Sequence, residues 1–171
     1  VIEAQKSFYG KATLPDYHFD LAEVVVTLGA DFLGSWGASV AYSMDWAKGR
    51  KLDSKNHAQA KLSKLYSFES TLSITGANAD ERFPVRPGDE IKIALAIMHD
   101  LLIEKRVTKF AGDAKLVGLL RPYSPAAIAQ EIGNPAIAKA IENAAAGLWA
   151  ARGKSLVVGG GASAKTAQAY A

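Results

Sequence analysis

Three short stretches carry residue types that could hold a phosphate or a ribose. Gly159-Gly160-Gly161 follows an apolar run and opens a helix-like segment, so its backbone N–H groups and the helix N-terminus could face an anion. Its spacing is that of neither a dinucleotide fingerprint nor a phosphate loop, and a plain strand-to-helix turn explains it equally. Gly29-Ala30-Asp31 closes a β-branched run. There Gly29 permits a tight turn, and Asp31 is placed either to cap it or to contact a ligand. Arg86-Pro87-Gly88-Asp89 leads into a long apolar helix. Arg86 offers a cation and the first helical amides offer donors; the alternative is an ordinary helix entry in which Asp89 and Glu90 complement the dipole.

Other chemistry finds little support. His18, His57 and His99 are far apart and lack ligand spacing, so they read as structural. Gly34-Ser35-Trp36-Gly37 is not a nucleophile elbow, because the required glycine spacing is missing. The chain has no cysteine, which removes disulfides, thiolate catalysis and Cys-ligated zinc or iron–sulfur clusters from it.

The elements that must position these stretches follow from hydrophobic pattern. Residues 24–28 form a short, continuous β-branched run of the kind buried on both faces in a parallel sheet. Residues 65–68 and 155–158 read as two further strands. Helices are expected at 39–48, with Val40, Met44 and Ala47 on one face, and at 89–105, 125–132 and 135–152. Residues 1–9 read as a helix closed by Gly10, and a last helix is expected after Gly161. Residues 51–61 read as a polar loop and residues 110–123 as irregular. Trp36, Tyr42 and Trp46 are expected to pack a core or a domain interface. Strand–helix alternation implies an α/β fold: a Rossmann-like three-layer sandwich with a mostly parallel sheet.

At 171 residues the chain has the size of one domain, residues 1–171, and its 49% hydrophobic content supports a real core. A net charge of +3, with no dense basic stripe interleaved with aromatics, argues against a nucleic-acid partner. No apolar run reaches the roughly 18 residues of a membrane helix, so direct membrane insertion is not expected. The start Val1-Ile2-Glu3-Ala4 has no initiator methionine, and the end falls inside a helix-like run. Both suggest a fragment of a larger polypeptide.

Four segments together carry a resemblance. Residues 22–36, with Gly29-Ala30-Asp31-Phe32-Leu33-Gly34-Ser35-Trp36, are similar to a segment of the molybdopterin oxidoreductase superfamily. So are Phe68-Glu69-Ser70-Thr71, Thr75-Gly76-Ala77-Asn78-Ala79-Asp80-Glu81-Arg82 and Val85-Arg86-Pro87-Gly88-Asp89-Glu90. Within that superfamily the chain most resembles the molybdopterin-like iron–sulfur subunit of alternative complex III, a quinol-oxidising membrane complex. The resemblance runs from Leu14 onward and leaves out residues 105–123.

In cofactor-bearing members this Rossmann-like domain binds part of a molybdopterin guanine dinucleotide. The resemblance then implies a site lined by Gly29, Asp31, Glu69, Arg86, Gly88, Asp89 and Gly160, with Glu69 accepting from ribose or guanine. The first strand of those members ends in Gly-x-Asn, where this chain has Gly29-Ala30-Asp31. Their second ends in Asp-Pro-Arg, where this chain has Glu69-Ser70-Thr71. Their helix entry is Arg-Pro-Gly-Thr-Asp, here Arg86-Pro87-Gly88-Asp89-Glu90. Gaining an anion and losing a cation near a pyrophosphate is unfavourable. The expectation is therefore a scaffold without a cofactor, catalytic residue or metal of its own, any iron–sulfur clusters lying elsewhere in the parent subunit. Its partners would be other domains and subunits of a membrane-bound respiratory complex, on the periplasmic side of the bacterial inner membrane. The alternatives are a live pterin-binding domain of a molybdenum or tungsten oxidoreductase, and a stand-alone nucleotide- or phosphate-binding module using Gly160.

Overall fold

The computed structural model describes residues 2–13, 15–51 and 62–160. Four strands, β1 (Val24–Leu28), β2 (Lys64–Glu69), β3 (Glu81–Pro84) and β4 (Ser155–Gly159), form one sheet in the order β3-β2-β1-β4, all parallel. β1 is central and every residue of it is buried. That is why its sequence is a continuous apolar run rather than an alternating one. Helix α2 (Ser39–Gly49) connects β1 to β2. The short α3 (Ile74–Ala77) connects β2 to β3. A long crossover, α4 (Asp89–His99), α5 (Ala114–Leu120), α6 (Pro125–Ile132) and α7 (Ala136–Ala150), returns the chain to β4. A helix, α1 (Ile2–Tyr9), precedes the sheet.

The two faces of the sheet bury different chemistry. On one, Val24, Val26, Leu28, Tyr66 and Phe68 pack against Ile93, Ile97, Ile128, Ile141 and Leu148 of α4, α6 and α7. On the other, Val25, Leu65 and Val158 meet an aromatic cluster of Phe19, Phe32, Tyr42 and Trp46. Phe19 and Phe32 stack there with centroids 4.1 Å apart. The sandwich expected from the sequence is thus observed.

Several local expectations differ. α2 buries Tyr42 and Trp46, while Val40 and Met44 face outward. The helix expected over 89–105 is α-helical to His99 and then widens into a π-helical turn, Asp100–Glu104. Residues 114–120, expected to be irregular, form α5, whose first amides are capped by Asp113: Oδ1 accepts from Lys115 N at 2.9 Å and Leu116 N at 3.1 Å. β3 was not expected at all. The loop at 52–61 and the helix after Gly161 lie outside the described residues.

Candidate functional site

In an open α/β sheet the place to look for a ligand is outside the carboxyl ends of the strands, where the strand order reverses. Here the chain runs outward from β1 to β2 and β3 on one side and then to β4 on the other, so the reversal falls between β1 and β4. Gly29 follows β1 and Gly160 follows β4, and the structure brings them together. A Cβ on Gly29 would lie 2.8 Å from Gly160 O, and one on Gly160 would lie 2.6 Å from Ala30 Cα and 2.7 Å from Gly29 O. Gly29 has a φ of 70°, the left-handed region that glycine tolerates. The described strand ends at the reversal are therefore closed against each other by backbone.

Glu90, read from the sequence as a complement to the helix dipole and not as a site residue, reaches this point. It is buried, its Oε1 lies 3.5 Å from where a Gly29 Cβ would stand, and its Oε2 accepts from Gly88 N at 2.6 Å. Gly88 itself turns at a φ of 95° to start α4. Asp89 is also buried, with Oδ1 accepting from Lys92 Nζ at 2.8 Å and Oδ2 without a hydrogen-bond partner. Lys92 continues across to Glu131 of α6 at 2.6 Å. Arg86 is exposed and donates from Nη2 to Ile132 O at 3.4 Å.

Asp31 and Glu69 are both tied to α3 and its cap. Asp31 Oδ1 accepts from Thr75 N at 3.0 Å and Thr75 Oγ1 at 2.9 Å; Oδ2 accepts from Ser35 N at 3.2 Å and Ser35 Oγ at 3.3 Å. Thr75 Oγ1 accepts in turn from Leu33 N at 3.0 Å. Glu69 is buried beneath Gly76. Its Oε2 accepts from Ser73 Oγ at 2.6 Å, and its Oε1 accepts from Ser73 N at 3.3 Å and Arg82 Nε at 2.5 Å. Sequence reasoning missed Thr75, Ser73 and Arg82 as the groups that occupy these carboxylates. The available signal was a capping one: Ser73 is the N-cap of α3 and accepts from Gly76 N at 2.9 Å.

Burial pushes the Asp31 carboxyl up, but the hydrogen bonds from Thr75 and Ser35 together outweigh it, so it sits below the usual carboxylate range. Its stabilising effect is thus fully present above the unfolded value of about 3.9 and is lost as pH falls through the lower, folded value. Asp31→Asn is expected to cost about 1–3 kcal/mol at neutral pH, since an amide turns a donor toward Ser35 N–H. Urea unfolding should also show a shallower loss of stability below pH 4 in the variant than in the parent. An unchanged acid limb would show that Asp31 carries no such linkage.

The fit to a pyrophosphate-bearing cofactor can be judged from this donor set. Four carboxylates (Asp31, Glu69, Asp89, Glu90) stand at the strand ends and helix entry. Of the nearby cations, Arg82 is tied to Glu69, Lys92 to Asp89 and Glu131, and Arg86 to a carbonyl. An anion about 4 Å from any one of these carboxylates would meet about 4 kcal/mol of repulsion per pair of unit charges near the surface. The described residues do not fit the dinucleotide. Among the described residues no group of three or more His, Cys, Asp or Glu could hold a metal ion.

No family model matches the chain. It is 27% identical over 144 residues to the menaquinone reductase, molybdopterin-binding-like subunit of Nitratidesulfovibrio vulgaris (strain Hildenborough), a match covering 84% of this chain and 20% of that one. Its fold is similar to that of acetylene hydratase from Pelobacter acetylenicus, with a TM-score of 0.58 and 17% identity over 81% of this chain and 18% of that one. The chain thus spans about a fifth of each of these two relatives. In its motifs and its sequence the chain is thus similar to a stretch of a molybdopterin-binding-like subunit, and its Rossmann-type sheet agrees with that likeness.

Proposed function

We propose that residues 1–171 are one scaffold domain of a larger molybdopterin-oxidoreductase-like subunit in a quinone-linked respiratory complex, with no redox centre of their own. The observation that carries this reading is the inward turn of the strand-end carboxylates. Asp31 and Glu69 spend their hydrogen-bonding capacity on Thr75, Ser35, Ser73 and Arg82, and the backbones of Gly29 and Gly160 meet at the ends of β1 and β4. The quinone link rests on the relative, whose name makes it a subunit of a menaquinone reductase. A reductase runs quinone chemistry in the opposite direction to the quinol oxidation of alternative complex III, so the proposal extends to quinone–quinol exchange and not to its direction. The partners would be the other domains and subunits of that complex, and the proposed location is the periplasmic face of the inner membrane.

A second reading, a live pterin-dinucleotide site, is favoured by one observation. Asp89 Oδ2 is a buried acceptor without a donor, which a base N–H could supply. Metal and pterin analysis of the intact parent polypeptide separates the two. The scaffold reading expects neither molybdenum nor tungsten and no pterin released on denaturation. Stoichiometric pterin would overturn it and establish the second.

A further inference from the structure

The segment 105–121 belongs to none of the motifs above, yet it is a built part of the fold. Its entry is marked by the π-helical turn and by Arg106, which holds a φ of 50°, a conformation seldom adopted by residues other than glycine. Val107 N donates back to Leu101 O at 3.1 Å. At the far end the buried His99 holds α5: its Nδ1 lies 2.9 Å from Leu120 O, and because a carbonyl only accepts, Nδ1 is the donor. Leu120 is fully buried, so one face of α5 is seated in the protein.

The other face is exposed among the described residues. α5 exposes Lys115 and Leu119, the latter 61% accessible, and the preceding turn exposes Lys109 and Phe110, the latter 53% accessible. The Lys109 ammonium lies 5.1 Å from the Phe110 ring centroid. The segment holds five cations against one carboxylate, an excess larger than the +3 of the whole chain. Lys105 pairs with Asp100, and Asp113 is used as the α5 cap. Arg106, Lys109, Lys115 and Arg121 are exposed and, among the described residues, have no carboxylate partner.

We propose that this segment docks the protein onto an anionic phospholipid surface, with Arg106, Lys109, Lys115 and Arg121 meeting the headgroups and Phe110 and Leu119 entering the layer beneath. The mixture selects the partner. A nucleic-acid duplex would use the cations and leave Leu119 in water, whereas a headgroup layer accepts cations and apolar groups side by side. Docking is peripheral: no described helix is long and apolar enough to cross a membrane. The proposal does not depend on the quinone reading, since it rests on residues remote from the strand-end carboxylates.

Co-sedimentation of the full chain with vesicles of mixed phosphatidylglycerol and phosphatidylcholine, against vesicles of phosphatidylcholine alone, provides the test. Binding is expected only to the anionic vesicles and should weaken with salt. Lys109→Ala with Lys115→Ala should weaken it about 30-fold at low salt, roughly a factor of five per basic residue near the leaflet. Phe110→Ser should weaken it at every salt concentration, whereas Lys139→Ala on α7 should leave it unchanged; circular dichroism confirms that each variant is folded. No binding to anionic vesicles, equal binding to neutral ones, or a double variant within twofold of the parent would overturn the proposal. So would equal affinity for soluble polyglutamate together with an inert Phe110→Ser, which would reduce the segment to a site for acidic protein.

Discussion

Gly160→Ala is expected to destabilise the chain by about 3 kcal/mol, the upper end of what inserting a methyl into a close-packed site costs. The reason lies in what the methyl would meet. Its contacts are Ala30 Cα at 2.6 Å, Gly29 O at 2.7 Å and Ala30 N at 3.0 Å, all of them backbone. A flexible side chain could swing away, but here relief requires β4 to move from β1 or the turn after β1 to shift. Each movement strains a bond already in place: Gly160 N donates to Leu28 O at 3.0 Å, and Gly29 N donates to Phe68 O at 2.9 Å. Urea unfolding should show a lower midpoint with an unchanged slope, as expected when stability falls without a change in the surface exposed. A variant within about 0.5 kcal/mol of the parent would mean that the two strand ends do not touch, and the closed crevice would have to be abandoned. Gly147→Ala is the matched control. Its methyl would meet only side-chain atoms, the nearest at 3.5 Å, in ordinary contact with Tyr66 and Val24.

The same pair of glycines shows where the sequence was informative. β1 and β2 were legible because strands buried on both faces are written as apolar runs, and Val25, Val26 and Leu65 have no polar alternation to confuse them; β4 was legible from its apolar run, although as an edge strand it leaves Val157 half exposed. β3 was illegible for the converse reason. It is a four-residue edge strand with two charged residues and a proline, Glu81, Arg82 and Pro84. Its polar look comes from ion pairs that only the fold creates, Glu81 with Lys64 at 2.7 Å and Arg82 with Glu69 at 2.5 Å. In α2 the spacing of Val40, Met44 and Ala47 marks a real stripe, but the aromatic cluster on the sheet claims Tyr42 and Trp46 instead. Larger rings bury more area than the aliphatic stripe, and the helix turns accordingly.

For the candidate site, position was legible and orientation was not. Gly29, Asp31, Glu69, Gly88, Asp89 and Gly160 do gather at strand ends and the helix entry that follows β3. Nothing in a linear pattern says whether a carboxylate there faces solvent or its own chain. That choice is made by groups some distance away in sequence: Thr75 for Asp31, and Ser73, Gly76 and Arg82 for Glu69. The segment 105–121 shows the opposite limit. The seven-residue α5 includes Gly118 and was hidden by its composition, and the burial of Leu120 and the His99 contact to its carbonyl show that it is seated.

Gly76→Ala tests the inward turn of Glu69 directly, and its effect should rival that at Gly160. A methyl at this position would stand 1.8 Å from Glu69 Oε1, 2.4 Å from Cδ and 2.8 Å from Oε2. The obstacle is a side chain, so escape is open in principle, but Glu69 is 5% exposed and its carboxylate is gripped by Arg82 and Ser73. Swinging it out leaves the Arg82 guanidinium without its carboxylate and the Ser73 N–H and hydroxyl without an acceptor. Breaking one partner out of a buried pair costs about 3–5 kcal/mol. Arg82 is about a quarter exposed and can turn to water, so the lower end, about 3 kcal/mol, is the expected loss. A double-mutant cycle with Glu69→Gln decides between this account and a simple loss of backbone freedom. If the methyl acts by evicting the carboxylate, Gly76→Ala should cost much less once Glu69 has lost its charge and its hold on Arg82, giving a coupling of about 1–3 kcal/mol. Additive costs would show that Gly76 is needed for its backbone alone. Glu69 would then be free to face a ligand, and the case for a self-filled crevice would lose one of its two carboxylates.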